Sequence, residues 1–146
     1  MKTVISVISV ILIISITALP SFANSRILST WTELGWSPVD KHSSAGIGVR
    51  YDCLGLIVSG GGDTREGYNS GWNVDFSTFL PAITNKYISV LPYGQVGTKI
   101  AYNEQQDKTN GFLSYGAGVQ ITDGRYTINT GWNNYRGIVF GFGLTF

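Results

Sequence analysis

The last ten residues constrain this chain more than any others. In Gly137-Ile138-Val139-Phe140-Gly141-Phe142-Gly143-Leu144-Thr145-Phe146 every second residue is large and apolar, from Ile138 to Phe146. The residues between, Val139, Gly141, Gly143 and Thr145, are small or polar. A period of two is a β-strand with one greasy and one lean face. A strand of about ten residues crosses a bilayer when tilted.

The amino terminus carries a matching signal. Lys2 precedes an almost unbroken apolar run from Val4 to Leu19, Pro20 breaks it, and Ser21-Phe22-Ala23 places small residues where a signal peptidase reads. The expectation is a signal peptide over residues 1–23, cleaved after Ala23, and a mature domain over 24–146. The competing reading is an uncleaved anchor, for which the run is short. No cysteine stands at the cleavage point, so a lipoprotein signal is excluded.

Charge narrows the function classes. The chain has 10 Lys and Arg against 9 Asp and Glu, and one of the bases, Lys2, leaves with the signal peptide. A near-neutral chain with no basic stripe argues against nucleic acid as a partner. Cys53 is the sole cysteine, so no intramolecular disulfide forms. No second helix-length apolar stretch follows the first. If the mature chain spans a membrane, it does so as a closed barrel, because lipid tolerates no unpaired backbone group.

Alternation over the rest of the chain predicts an all-β domain of eight antiparallel strands in up-and-down order. Strand one is expected at Arg26 to Trp36, with Leu28, Thr30, Thr32, Leu34 and Trp36 on the apolar side, closing on the final strand. Further strands are expected at Ser44 to Tyr51, Leu54 to Ser59, Gly71 to Phe79, within Lys86 to Tyr102, at Gly111 to Ile121 and at Arg125 to Trp132. Eight strands of about ten residues leave about six residues per connection, an ordinary length. Turns are expected at Asp52-Cys53, Leu80 to Asn85 and Thr122 to Gly124, and polar, mostly longer loops at the other end. That asymmetry is the pattern of transmembrane barrels with periplasmic turns.

Aromatic residues on the apolar parity sort to strand ends. Trp36, Trp72, Tyr102 and Trp132 fall towards the loops; Tyr51, Tyr126 and Phe146 fall towards the turns. Two girdles on an outward apolar face suit a lipid-embedded barrel, whereas a lipocalin-like carrier would turn that face inward around a ligand. The lean face carries Glu33, Arg50, Asp75, Lys99 and Arg125, with Asn73, Gln95, Gln120 and Asn129. Charges facing lipid near the midplane would cost about 2–4 kcal/mol each. The expectation is therefore a plugged, polar, hydrogen-bonded lumen in which two acids meet three bases, with room for at most a narrow water path along the inward glycines.

The whole mature chain resembles the small OmpA/OmpX-type outer-membrane barrels. Gly141-x-x-Leu144-x-Phe146 is similar to the carboxy-terminal signal read by the barrel-assembly machinery, and Tyr115-Gly116-Ala117-Gly118-Val119-Gln120 looks like an inner hairpin strand of that family. Val139 stands where that signal usually has a polar residue. The resemblance implies a porin-like β-barrel in the outer membrane of a Gram-negative envelope, with lipids, lipopolysaccharide and the assembly machinery as partners. It transfers no activity, because barrels of this size serve as anchors, adhesins and enzymes.

Little in the chain points to catalysis. The single histidine, His42, stands beside Asp40, Ser43 and Ser44, the residue types that a lipid A deacylase or acyltransferase would use. The surrounding residues match neither enzyme's motif. Gly60-Gly61-Gly62-Asp63 lacks the helix and Lys-Ser/Thr of a phosphate loop. Asp63, Glu66, Glu104 and Asp107 are candidate contacts for divalent cations or lipopolysaccharide, without metal-loop spacing. No catalytic, cofactor-binding or metal residue is assigned. The leading reading is a non-enzymatic integral outer-membrane protein acting in envelope integrity or surface interaction. A lipid A-modifying enzyme and a periplasmic lipocalin-like carrier are the alternatives.

Overall fold

The computed structural model describes residues 28–38, 42–62, 68–80 and 83–146. The expected signal peptide and its cleavage point lie outside the described residues, as do Arg26, Asp40, Asp63 and Glu66. The strands are β1 (Leu28–Ser37), β2 (His42–Tyr51), β3 (Leu54–Gly62), β4 (Tyr68–Phe79), β5 (Ile83–Thr84), β6 (Ser89–Asn103), β7 (Lys108–Thr122), β8 (Tyr126–Asn133) and β9 (Gly137–Thr145). Each long strand pairs antiparallel with its neighbours, β4 pairs with β6, and β1 pairs with β9. The eight long strands therefore form a closed all-β antiparallel barrel, and the two-residue β5 hangs on the edge of β6. Closure leaves no barrel edge to pair with other chains.

The expected closing contact is present. Strands β1 and β9 pair from Ser29↔Thr145 to Trp36↔Ile138. The amide of Phe146 donates to the Leu28 carbonyl at 2.7 Å and that of Leu28 to the Phe146 carbonyl at 3.3 Å. In β1 the apolar parity faces out and Ser29, Trp31, Glu33, Gly35 and Ser37 face in, as the pleat requires of alternate residues.

The connections differ from expectation. The polar segment from Asn103 to Asn110 is half strand, since Asn103 pairs with Lys108 and Ala101 with Asn110, and only 104–107 form the turn. The expected loop from Gly60 to Ser70 is partly strand, because Gly60, Gly61 and Gly62 pair with Trp72, Gly71 and Ser70. The connection between β4 and β6 instead holds β5 and a tight turn, in which the Ile88 carbonyl accepts from the Asn85 amide at 3.0 Å. It is longer than any connection at the opposite end, so connection length does not orient the barrel. Backbone pairing satisfies N–H and C=O groups whatever the side chains are, which is why polar flanks without alternation still became strand.

Candidate functional site

The outward wall is apolar. Leu34, Ile47, Trp72, Phe76, Phe140 and Phe142 are all more than half exposed, with Trp72 at 66% and Phe140 at 61%. One row across the wall reads Phe140, Leu34, Ala45, Gly60, Trp72, Ile100. Trp36, Trp132 and Tyr102 are exposed towards the loop end, joined by Tyr115, whose ring meets Trp132 edge-on at 6.0 Å. Towards the turn end Tyr51, Tyr126 and Phe146 are exposed, and Tyr126 stacks on Phe142 at 5.9 Å. The short β5 connection adds Ile83 and Tyr87 at that end. A lipocalin-like carrier needs the reverse arrangement, with this face inside.

The interior has two halves. Towards the loops it is polar and charged. Glu33, 3% exposed, accepts hydrogen bonds from the Trp31 indole at 2.9 Å and from Asn129 at 3.0 Å, and forms a buried ion pair with Arg136. Arg136 is equally buried and also donates through Nε to Ser44 at 3.2 Å. Asp75 accepts from Asn73 and, at 3.2 Å, from Asn133, which donates to Ser114 as well. Removing charges from water is repaid only when their remaining lone pairs and protons are also satisfied; the Trp31 and Asn129 donors serve this for Glu33.

Towards the turns the interior also holds an apolar cluster, which the expectation of a polar lumen did not include. Trp31, Ile57, Phe79, Leu91 and Tyr93 form one buried cluster. Phe79 packs against Tyr93 at 5.1 Å and edge-on against Trp31 at 6.3 Å. Arg50 lies over the Phe79 ring at 5.3 Å and donates to Ser29 at 3.0 Å. Ser29 and Thr145 are linked hydroxyl to hydroxyl at 3.1 Å across the β1–β9 seam, and Thr145 is linked to Thr122 of β7 at the same distance. Two inward glycines, Gly48 and Gly118, are beds for these rings. A Cβ on Gly48 would lie 2.1 Å from the Trp31 ring, and one on Gly118 would lie 2.4 Å from the Tyr93 hydroxyl.

Of the expected inward residues, Glu33, Arg50, Asp75, Lys99, Asn73, Gln95, Gln120 and Asn129 are all buried. Arg125 is not. It is exposed in the 123–125 turn, its guanidinium 5.8 Å from the Tyr126 ring. The third base is Arg136, which the alternation pattern missed because it stands in a connection. Its turn is built locally. Asn133 Oδ1 accepts from the amides of Tyr135 at 2.9 Å and Arg136 at 3.2 Å, and Gly137 takes φ +69°, where a side chain would be strained. Asn-Asn-Tyr-Arg-Gly is the readable signal for that turn.

His42 is the first residue of β2 and bonds the Tyr135 carbonyl through Nε2 at 2.7 Å. Ser44 is engaged by Arg136, and Ser43 is exposed opposite Trp36. The described residues thus join His42 to a backbone oxygen and to no serine. Gly60–Gly62 lie within paired strand and form no loop. Glu104 and Asp107 sit at the tip of the β6–β7 hairpin, where Asp107 accepts from the Tyr102 hydroxyl. Among the described residues no three His, Cys, Asp or Glu side chains gather as metal ligands.

No family model and no curated protein matches the chain. Among solved structures it is similar to Ail, the attachment invasion locus protein of Yersinia pestis, at 15% identity and a TM-score of 0.43, over 83% of this chain and 97% of that one. A second structure of Ail, in complex with the heparin analogue sucrose octasulfate, matches over the same shares at 15% identity and a TM-score of 0.39. So distant a likeness leaves function to this chain's own residues.

Proposed function

We propose that this chain is an integral outer-membrane β-barrel protein of the small OmpA/OmpX type, with a plugged lumen and no enzymatic activity, acting in envelope integrity or surface interaction. One observation carries the reading: the barrel is apolar outside, with an aromatic rim at each end, while its buried ion pair and amides lie inside. A soluble monomer rarely exposes more than a few hundred Å² of contiguous apolar surface; a bilayer requires a belt of it. The aromatic cluster and the Glu33–Arg136 network together fill the bore, consistent with an interior of eight strands that side chains can fill.

In this reading lipid and lipopolysaccharide cover the wall, and the barrel-assembly machinery engages the strand ending at Phe146. The turn end faces the periplasm, and a cleaved signal over residues 1–23 delivers the chain there. The test is fractionation of expressing cells with gel migration before and after boiling. Recovery with the outer membrane and a heat-dependent shift are expected, and recovery in the periplasm without detergent overturns the proposal. A deletion strain then separates the two roles, since detergent sensitivity marks envelope integrity and lost adherence marks surface interaction.

A further inference from the structure

At the loop end of the interior, beneath Tyr135, a small chamber is lined by His42, Ser59, Asn73, Lys99 and Arg136. Its volume is about 10 Å³, the size that admits one water molecule. Ser59, Asn73 and Arg136 are each at least nine-tenths buried. Four side-chain atoms of the lining have no hydrogen-bond partner among the described residues: His42 Nδ1, Ser59 Oγ, Asn73 Oδ1 and Arg136 Nη2.

The chemistry of these four atoms identifies the occupant. The Tyr135 carbonyl only accepts, so His42 Nε2 carries the proton that bonds it. In the neutral ring Nδ1 is then a lone-pair acceptor. Asn73 Nδ2 donates to Asp75, which orients the amide and leaves Oδ1 as an acceptor. Arg136 Nη2 is a donor without alternative, and the Ser59 hydroxyl supplies a second donor. Two acceptors and two donors thus belong to the lining of this one small chamber. An anion is repelled by both lone pairs, and a cation by Lys99 and Arg136. Water offers two donors and two acceptors.

We propose that this chamber is a binding site for a single water molecule, held by His42 in its Nε2–H form. The water donates to His42 Nδ1 and Asn73 Oδ1 and accepts from Arg136 Nη2 and Ser59 Oγ. It ties the connection carrying Arg136 to strands β2, β3 and β4, completing the polar half of the interior. The inference stands on interior geometry and does not depend on the membrane reading.

The full chain folded in detergent and crystallised in sodium bromide tests it. The expected result is a water peak within about 3.2 Å of at least three of the four atoms, with no bromine anomalous signal. A bromide peak overturns the proposal in favour of an anion site, and side chains bonded directly to one another overturn it altogether. As His42 is the only histidine, nitrogen NMR of histidine-labelled protein gives an unambiguous second readout. A ring with its proton on Nε2 and Nδ1 free to accept is expected; a proton on Nδ1 refutes it.

Discussion

Replacing either partner of the Glu33–Arg136 pair is expected to destabilise the fold by about 3–5 kcal/mol, because it strands the other charge inside the barrel. The structure ranks the two changes. After Arg136→Met, Glu33 keeps the Trp31 and Asn129 donors at 2.9 and 3.0 Å, so the loss falls near the lower end, about 3 kcal/mol. After Glu33→Gln, Arg136 remains a buried cation that has lost its carboxylate and keeps neutral acceptors such as the Ser44 hydroxyl at 3.2 Å, which places the loss near the upper end, about 5 kcal/mol. The double variant removes both members of the pair and is expected to cost less than the two losses combined. Urea unfolding in phospholipid vesicles, followed by tryptophan fluorescence, reads these differences. At about 1–3 kcal/mol per molar urea, each single change moves the midpoint by at least about 1 M. Arg125→Met is the control. That side chain is exposed, so its removal should stay within about 0.5 kcal/mol. Strict additivity in the double variant, or an Arg125→Met shift as large as that of Arg136→Met, would refute the buried-pair account.

Gly48→Ala puts a methyl group 2.1 Å from the Trp31 ring and is expected to cost about 1–3 kcal/mol by overpacking; Gly94→Ala, with nothing within 4 Å, should be near neutral in the same unfolding assay. Cys53 is buried in the β2–β3 turn, and burial together with the neighbouring Asp52 carboxylate pushes its thiol up. Since the thiolate is the nucleophile, maleimide should label it only in denaturant, and fast labelling of the folded protein would contradict the packed turn. Asp123 accepts from the amides of Tyr126 at 2.7 Å and Arg125 at 3.0 Å, which holds its carboxyl below the usual range. A depressed folded value means that its stabilising contribution is present above the ordinary value of about 3.9 and is lost as pH falls through the lower folded one. Amide exchange at Arg125 and Tyr126 should accelerate over that window in the wild type, and Asp123→Ala should remove the pH dependence.

Sequence alternation placed Glu33, Arg50, Asp75 and Lys99 inside, because within a strand the pleat alone assigns each residue a face. It misplaced Arg125 and missed Arg136 for the same reason. Both stand where the period of two stops, and there the turn geometry decides. A left-handed Gly137 and an Asn133 cap direct one arginine into the bore, while the 123–125 turn leaves the other in solvent. Trp31, Phe79 and Tyr93 lie on inward parities, yet a single strand gives no sign that three rings from β1, β4 and β6 meet. Their meeting depends on barrel register, as does the room made for two of them by Gly48 and Gly118. The sequence by itself therefore determined the all-β class, the main course of the long strands and which face is greasy, since these follow from local periodicity and length. Only the tertiary structure decided how the interior is filled and which cation neutralises Glu33, because both depend on side chains brought together from strands and connections far apart in the chain.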